Sequence, residues 1–388
     1  MDLHGKQLLE GLSARGHRVI VISTKHPSSK EYEEVDGIRF YYLKNTTFGS
    51  SRRGWKRESK KKYLEILRTE KIDITVSQSR AGYSIAGLSR KMNIPLVTIF
   101  HGYETMIFFS ILKQVLNFKT DYWQLIKSLL ATCYYTLFQE YPLLFYSTMM
   151  VAVSEKVREV MSRRLPGITS RMNVINYGID LKIFDFSEET RSRGREMLGI
   201  SEKEKVILFL SLISKQKGAD IAIKAFRELS NDNSLRLIIG GAGEYLKGAK
   251  DLAKQYGLES RIIFPGFIPN EEAPLYYNAS DIFIFPTLRL ESFGIVIAEA
   301  MACKRPVIAS RIGSIPYVID DGIDGVLIEP GDYRGLAEQI KKILYDYAYS
   351  EKIAQNAYAK ARSRFDIEKM IRETIQTFEN ARNAPIRD

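Results

Sequence analysis

The chain has 388 residues, of which 45% are hydrophobic and 27% charged, and its formal net charge is +11. This length accommodates two domains with a core each, so a single small module is excluded. The basic excess indicates anionic ligands or an anionic surface as partners, although simple solubility explains the same charge.

Cysteine content and apolar run lengths bear on the location of the protein. Only Cys133 and Cys303 are present, both in apolar surroundings, which predicts buried free thiols in a reducing compartment. The N-terminus lacks a basic stretch followed by an apolar one, and no stretch reaches ~18 uninterrupted apolar residues. We therefore expect a cytoplasmic protein, either free or peripheral on the cytoplasmic face of the membrane.

Alternating helix and strand patterns in the first half predict a parallel sheet. Helices are expected over residues 6–16 and around residues 82–92, and Ser154 should cap a further helix. The predicted strands are Val19–Ser23, Ile38–Leu43, Ile74–Val76, Leu96–Phe100 and Met149–Val153. The fourth of them places His101 at the carboxyl edge of the sheet, where open α/β sheets bind ligands. A lone loop histidine is more often structural than catalytic, so position alone leaves both roles open.

Two segments of this half have the composition of a membrane-contacting surface. Residues 52–62 contain seven basic side chains around Trp55, which suits an anionic membrane interface or a lipid-linked acceptor. Residues 105–148 are rich in Phe, Tyr, Leu and Met and predict two amphipathic helices, because polar residues interrupt every apolar run. The alternatives are a solvated loop for the first segment and packing against the domain for the second.

A charged stretch at residues 186–204 predicts an interdomain linker, and six buried parallel strands follow it. These strands are Val206–Leu210, Leu235–Ile239, Ile262–Phe264, Ile282–Phe285, Val307–Ala309 and Val326–Ile328. A glycine-rich turn, Gly240 to Gly243, follows the second strand, but its spacing does not fit the dinucleotide fingerprint. The chain beyond Asp332 is predicted to be helical.

The strongest functional signal runs from Glu291 to Glu299. A helix over residues 293–302 is apolar almost all round, and Glu299 is its only charge. A buried carboxylate is costly unless hydrogen-bonded, so Glu299 needs a partner. Glu291 lies just before the helix start, where free N–H groups favour an anion, and Gly294 lets a ligand approach the main chain. The pattern predicts a phosphate-binding site flanked by two carboxylates. A helix-start acid with an internal salt bridge is the alternative.

The block from Asp281 to Asp332 carries a set of recognisable motifs. They are Phe285-Pro-Thr, Glu291-Ser-Phe-Gly, Ala298-Glu-Ala-Met-Ala-Cys and Gly313-Ser-Ile-Pro. This block closely resembles the nucleotide-sugar-binding half of the family 4 retaining glycosyltransferases (glycosyl transferases group 1). The resemblance implies the GT-B fold, an α/β architecture of two doubly wound, Rossmann-like parallel-sheet domains that face a cleft.

The resemblance also implies a domain division. The acceptor-side domain is expected at residues 1–185, the linker at 186–204, the nucleotide-sugar domain at 205–366, and a C-terminal helix crossing back at 367–388. In the family, the segment Leu12-Ser-Ala-Arg-Gly-His follows a first strand and a glycine-rich loop. Both are missing here, so we expect the true start upstream of Met1, and two neighbouring strands with unpaired buried edges.

Site residues follow from the resemblance, position by position. His101 matches a histidine that contacts the donor sugar, Lys217 a lysine that binds the diphosphate, and Glu291 an acceptor of sugar hydroxyls. Glu299 matches the residue that accepts from the ribose hydroxyls. The other implied donor-binding positions are Phe293, Gly294, Ile295, Gly241, Gly243, Phe267 and Lys215. Leu212 stands where the family has an arginine, and Lys304 replaces a glycine in a left-handed helix cap.

The resemblance implies a retaining transfer of a hexosyl unit from a nucleotide diphosphate sugar to the hydroxyl of a glycan or lipid-linked acceptor. No Asp-x-Asp metal-binding motif is found at a strand end, so no obligatory metal is expected. The alternatives are a GT-B nucleotide-sugar epimerase and a non-catalytic, membrane-docked GT-B protein. Nucleic-acid binding is disfavoured because the basic run lacks a recognition fold.

Overall fold

The protein divides into two compact units in the computed structural model. The first unit comprises Met1–Gly178 with Glu368–Asp388, and the second comprises Ile179–Ile367. The structure describes residues 3–50, 54–102, 122–163 and 167–385. The division falls after Gly178, a few residues before the expected boundary at residue 185.

The described residues of the first unit form seven strands and the helices between them. Its strands are β1 (Val19–Thr24), β2 (Tyr32–Val35), β3 (Ile38–Leu43), β4 (Thr75–Gln78), β5 (Leu96–Phe100), β6 (Met149–Ala152) and β7 (Met172–Val174). Its helices are α1 (Leu3–Ser13), α2 (Trp55–Thr69), α3 (Ala86–Lys91), α4 (Tyr122–Tyr135), α5 (Tyr141–Tyr146) and α6 (Glu155–Ser162). Ser154 caps α6 as predicted, since its Oγ accepts from the Val157 amide at 3.3 Å.

The strands of this unit form two separate sheets, in the orders β1-β3-β2 and β4-β5-β6-β7. All neighbouring pairs are parallel except β2 with β3. Among the described residues, β1 and β4 are therefore unpaired on one side, which agrees with the expectation of two strands with unpaired edges. Strand β1 is half-buried along its whole length rather than fully buried.

Helix α2 packs across both sheets through one buried side chain per turn. Trp55 is 5% exposed, and its Nε1 donates to the Ala81 carbonyl at 2.7 Å. The Tyr63 hydroxyl lies 2.7 Å from Thr75 Oγ1 on β4. The interpretation of Trp55 as a membrane anchor is thus wrong, because its indole is satisfied inside the unit. The outer face of α2 carries the cations, and Arg52 and Arg53 lie outside the described residues.

Six parallel strands form the sheet of the second unit, as predicted, in the order β10-β9-β8-β11-β12-β13. They are β8 (Lys205–Leu210), β9 (Leu235–Gly240), β10 (Ile262–Gly266), β11 (Ile282–Phe285), β12 (Val307–Ser310) and β13 (Val326–Ile328). The helices are α7 (Glu188–Leu198), α8 (Ala219–Glu228), α9 (Leu246–Gln255), α10 (Ala273–Ala279), α11 (Ile295–Ala302), α12 (Ile315–Val318), α13 (Tyr333–Tyr345) and α14 (Tyr347–Arg364). Strand side chains such as Phe209 and Ile239 pack with Phe226 of α8 and Leu336 of α13 in one buried core.

The predicted linker at residues 186–204 contains helix α7, which packs on α10. Two of its arginines point inward: Arg195 is 1% exposed and donates to the Ala279 carbonyl at 3.0 Å. Arg191 is paired with Asp281 at 2.7 Å. The linker interpretation fails because these charges bind buried backbone and a carboxylate rather than water.

Three further expectations concern single positions and the C-terminus. Helix α15 (Ile367–Asn383) belongs almost entirely to the first unit, where Thr377 Oγ1 accepts from Asn173 Nδ2 at 3.0 Å. Lys304 has φ +57°, the left-handed cap conformation that the sequence predicts. Cys303 is buried as expected, whereas Cys133 is exposed, so that prediction is wrong for Cys133.

No helix of the described part of the chain has the length and apolarity required to cross a bilayer.

Candidate functional site

The carboxyl ends of four adjacent strands of the second sheet bring most of the predicted donor-binding residues onto one edge. The strand order β10-β9-β8-β11 makes the four following loops neighbours. The loop after β8 carries Lys215 and Lys217, the loop after β9 the glycine-rich turn, and the loop after β10 Phe267. Glu291 lies in the loop between β11 and α11. This edge is where parallel α/β sheets bind ligands.

Lys217 and Glu291 meet at this edge. Lys217 Nζ donates to Glu291 Oε1 at 2.7 Å, and both side chains are mostly buried. Thr287 Oγ1 donates to the same carboxylate oxygen at 3.3 Å, an interaction that no sequence pattern indicates. An ammonium group has three N–H donors and a carboxylate two oxygens, so the pair keeps capacity for a ligand. The pair therefore presents one cation and one hydroxyl acceptor side by side.

Two glycines allow the backbone to hold this pair. Gly218, with φ +83°, lies so close to Pro286 that an added Cβ would be 2.0 Å from the Pro286 carbonyl oxygen. A Cβ on Gly313 would lie 2.5 Å from the Glu291 carbonyl oxygen, and that oxygen accepts from the Ser314 amide at 2.8 Å. Side chains at these two positions would push the loops apart. The positions of Lys217 and Glu291 thus depend on close backbone packing.

The glycine-rich turn has a structural reason of its own. A Cβ on Gly241 would lie 1.9 Å from the Ser211 carbonyl oxygen, and one on Gly243 would lie 2.2 Å from the Ile213 carbonyl oxygen. The Gly241 amide donates to the Gly266 carbonyl at 2.7 Å. The turn is therefore packed tightly between the neighbouring loops, and its approach to a nucleotide stays a prediction.

Three side chains on the same edge point away from the core. Leu212 is 59% exposed and Phe267 is 76% exposed. The Lys215 ammonium lies 5.5 Å from the centroid of the Tyr245 ring. An exposed phenylalanine at a strand end offers an apolar face to a flat ligand, and the base contact that the resemblance implies for Phe267 stays a prediction.

Helix α11 begins at the same edge. Gly294 precedes it with φ +96°, a left-handed conformation that favours glycine. The Phe293 side chain is buried edge-on against Phe365 with ring centroids 5.4 Å apart, so only its backbone amide is a candidate for ligand contact. The amides at 293–295 open the helix, where the helix dipole favours an anion.

Glu299 lies on the second turn of α11 and is only 5% exposed. Its Oε2 accepts from the Tyr277 hydroxyl at 2.8 Å. Burial raises the pKa of Glu299 to about 7, and the hydrogen bond from Tyr277 opposes that rise. The Tyr277 hydroxyl also lies 3.2 Å from the Val296 carbonyl oxygen, which is a second acceptor for it. The expected partner of the buried Glu299 is thus a tyrosine rather than a cation.

Replacing Glu299 with glutamine should change how stability depends on pH. Between pH ~4.5 and ~7 the folded protein holds a proton on Glu299 that the unfolded chain has released. Folding stability therefore falls as the pH rises through this window, by about 3 kcal/mol in total. Urea unfolding of Glu299→Gln and the unmodified protein at pH ~5 and pH ~8 measures this contribution. A stability difference between the two proteins that is equal at both pH values would contradict it.

His101 directly follows β5 in the first unit, as predicted, and both of its ring nitrogens are hydrogen-bonded. Nε2 lies 2.6 Å from Gln78 Oε1, and Nδ1 lies 2.7 Å from the Tyr177 hydroxyl. Because Gln78 presents an acceptor, Nε2 carries the proton of the neutral ring and Nδ1 accepts from Tyr177. The His101 and Tyr177 rings are stacked with centroids 5.7 Å apart, and His4 packs edge-on against both.

Replacing Tyr177 with phenylalanine should release this histidine from a single tautomer. The Nδ1 atom loses its donor, while Gln78 still accepts from Nε2. The chain has four histidines, so the nitrogen-15 NMR signals of the imidazoles are few and a His101→Ala spectrum assigns the relevant pair. We expect the Nδ1 signal to move while the signals of His17 and His26 stay unchanged. Identical His101 signals in both proteins would show that Tyr177 has no influence on the ring.

Two family models match the chain. The model of Glycosyl transferases group 1 matches residues 190–360, and that of Glycosyltransferase Family 4 matches residues 3–183. The chain belongs to the family 4 glycosyltransferases. Its two units of parallel sheets and helices have the GT-B fold.

Relatives span most of this family 4 glycosyltransferase. An uncharacterised glycosyltransferase of Methanocaldococcus jannaschii is 25% identical over 98% of this chain and 94% of its own length. Alpha-monoglucosyldiacylglycerol synthase of Streptococcus pneumoniae is 28% identical over 81% of this chain and 69% of its own. Among solved structures, a sucrose-phosphate synthase of Thermosynechococcus elongatus is 20% identical with TM-score 0.78, covering 97% and 92% of the two chains. Anabaena HepE in complex with UDP-glucose is 23% identical with TM-score 0.77, covering 98% and 96%.

Proposed function

We propose that this glycosyltransferase moves a hexosyl unit from a nucleotide diphosphate sugar to the hydroxyl of a glycan or lipid-linked acceptor, with retention of anomeric configuration. The observation that carries the proposal is the Lys217–Glu291 pair, 2.7 Å apart, at the carboxyl edge of the second sheet. This edge also holds the amino end of α11. A cation, helix amides and a hydroxyl acceptor are what a sugar diphosphate requires.

The chemical step breaks the bond between the sugar C1 and the diphosphate oxygen, so negative charge develops on the leaving group. Lys217 and the backbone amides of Phe293, Gly294 and Ile295 stabilise that charge. The acceptor oxygen forms the new bond to C1 on the same face, and its proton passes to the departing phosphate oxygen. Atoms and charge balance without a protein base.

The two carboxylates hold hydroxyl groups rather than transferring protons. Glu291 accepts from hydroxyls of the sugar, and Glu299 accepts from the ribose hydroxyls. Glycoside hydrolases also use two carboxylates, but they place them on either side of the bond that is cleaved. For Glu299 the role requires the ionised form, and burial raises its pKa to about 7, so donor affinity should fall below that pH.

Likeness to proteins of named activity supports the choice of donor and acceptor. Anabaena HepE, which has the same fold, is solved with UDP and with UDP-glucose. The Streptococcus pneumoniae relative is named as a synthase of a glucosyl diacylglycerol, a lipid product. The exposed Phe267 provides a surface for a nucleotide base, and His101 is assigned to the donor sugar by the resemblance.

A donor screen followed by product analysis tests the proposal. UDP-, GDP- and ADP-sugars are added at about 100 times their dissociation constants, where a true donor adds about 2.7 kcal/mol of stability. With the donor identified, proton NMR of the product gives the configuration at C1. We expect retention, and we expect activity to be unchanged by EDTA because no metal is proposed. A product with inverted configuration would contradict retention. Loss of activity with EDTA would contradict catalysis without a metal.

Omitting the acceptor separates transfer from epimerisation. An epimerase converts its donor alone, whereas the proposed enzyme forms glycoside only when an acceptor hydroxyl is present. Conversion of the donor into its epimer in the absence of acceptor would show that the protein is an epimerase and not a transferase.

A further inference from the structure

Helix α4 and the residues after it expose an apolar stripe in the first unit. One turn of π-helix, Thr136–Glu140, joins α4 to α5 without a break. The stripe consists of side chains three or four residues apart that are 45% to 67% exposed, namely Trp123, Ile126, Leu130, Tyr134 and Leu137. Phe138 is exposed beside it, whereas Thr132 and Gln139 on the opposite side are buried. This spacing puts the exposed apolar groups on one face of the helix.

The chemistry of this face matches a lipid interface better than a protein core. It combines aliphatic side chains with Trp123 and Tyr134, residue types that prefer the boundary between lipid and water. Lys127 is exposed on the same helix. The only acid between residues 122 and 146 is Glu140, which is 2% exposed, so the described face presents no negative charge.

Exposed cations lie on α2, which one intermediate segment separates from the π-helical turn. The 3-10 segment Ser79–Ser84 contacts both α2 and the π-helical turn. On α2, Lys60 and Lys61 are exposed and make no ion pair with a carboxylate among the described residues. Arg80 connects the two regions, since its guanidinium lies 4.4 Å from the centroid of the Tyr135 ring. Basic side chains beside an apolar helix face favour an anionic membrane surface.

We propose that the stripe docks on an anionic phospholipid bilayer, with the outer face of α2 on the same lipid surface. The inference deepens the lipid-linked acceptor of the proposed function, because docking brings the first unit to an acceptor held in a membrane. Bilayer binding is measured without donor or acceptor, so its failure and the failure of sugar transfer are distinguishable.

Vesicle co-sedimentation of the full chain tests the proposal. Vesicles of phosphatidylcholine with about 30 mol% phosphatidylglycerol should bind the protein, and pure phosphatidylcholine vesicles should bind it much more weakly. The double variant Leu130→Ser with Leu137→Ser should partition at least tenfold less. Ile323→Ser is the matched control, since Ile323 is 57% exposed in the second unit, and its partitioning should be unchanged.

A second variant tests whether the lysines of α2 contribute to binding anionic vesicles. Lys60→Gln with Lys61→Gln should lower binding to the phosphatidylglycerol vesicles about tenfold and leave binding to pure phosphatidylcholine as it is. About 0.5 M NaCl should weaken the unmodified protein in the same way because salt screens exposed charges. If this variant and the unmodified protein bind the phosphatidylglycerol vesicles equally at low salt, α2 is not part of the docking surface, and its proposed contact with the lipid is overturned.

Cys133 reports on the stripe directly. It is exposed on α4, whereas Cys303 is buried, so a polarity-sensitive thiol dye reacts at Cys133. Its emission should shift to shorter wavelength when phosphatidylglycerol vesicles are added. No binding to either vesicle, or binding without an emission shift and without an effect of the leucine variants, overturns the proposal. A lipid-free dimer, or a dye already shielded in the monomer, would instead assign the stripe to a second copy or to residues 103–121, and would overturn it equally.

Discussion

Replacing Lys217 with methionine is expected to lower kcat about a thousandfold and to change the KM for the donor much less. The lysine charge is assigned to the diphosphate, whose negative charge grows as the bond to the sugar breaks. Its effect is therefore larger in the transition state than in the bound donor. Steady-state kinetics with the donor identified by the stability screen measure both constants.

Two controls separate this role from simple damage to the fold. Lys217→Met leaves Glu291 mostly buried without its partner at 2.7 Å, so the double variant Lys217→Met with Glu291→Gln removes the unpaired charge. The double variant should recover stability but not kcat. Lys224→Met breaks a longer and more exposed ion pair, with Asp220 on α8, and should leave kcat unchanged. Full recovery of kcat in the double variant would mean that Lys217 serves only to neutralise Glu291.

Replacing Glu299 with alanine is expected to weaken nucleotide binding at least a hundredfold. Two hydrogen bonds from ribose hydroxyls to a carboxylate contribute about 1.5–3 kcal/mol each, and alanine removes both. Affinity for the unmodified protein should also fall as the pH drops below about 7, because protonation removes an acceptor and burial holds the pKa of Glu299 at about 7. Isothermal titration calorimetry at pH ~6 and pH ~8 measures both effects.

Tyr277→Phe is the control for this variant. It removes the hydrogen bond of 2.8 Å that opposes the rise in the Glu299 pKa, but it keeps the carboxylate. Affinity at pH ~8 should change only a few-fold, and the loss at pH ~6 should be greater than in the unmodified protein. Unchanged nucleotide affinity of Glu299→Ala at both pH values would contradict the ribose assignment.

Local patterns predict the elements of this fold well. The six strands of the second sheet, the helix that carries Glu299, and the position of His101 directly after a buried strand all follow from apolar runs and their breaks. Strand β2 does not, because its residues Tyr-Glu-Glu-Val lack an apolar run and it lies exposed at the edge of a sheet. Such strands are held by their neighbour, here β3, rather than by their own composition.

Partners of polar side chains are set by the fold and are not visible in sequence. Glu299 meets Tyr277, 22 residues away, and Lys217 meets Glu291, 74 residues away. The charged stretch around Arg195 reads as a solvated linker, yet that arginine is buried against backbone carbonyls. Trp55 reads as a surface anchor, but one backbone acceptor inside the unit satisfies its indole. In each case a nonlocal hydrogen bond decides the role.

In the proposed complex, a nucleotide diphosphate sugar binds at the amino end of α11 with its ribose hydroxyls on Glu299. Calorimetry of the preferred nucleoside diphosphate and its 2′,3′-dideoxy analogue, each with the unmodified protein and with Glu299→Ala, tests this assignment, since alanine leaves no side-chain acceptor. The unmodified protein should bind the analogue about a hundredfold more weakly, and the variant should bind the two ligands almost equally. Equal discrimination by both proteins would show that the ribose hydroxyls do not bind Glu299.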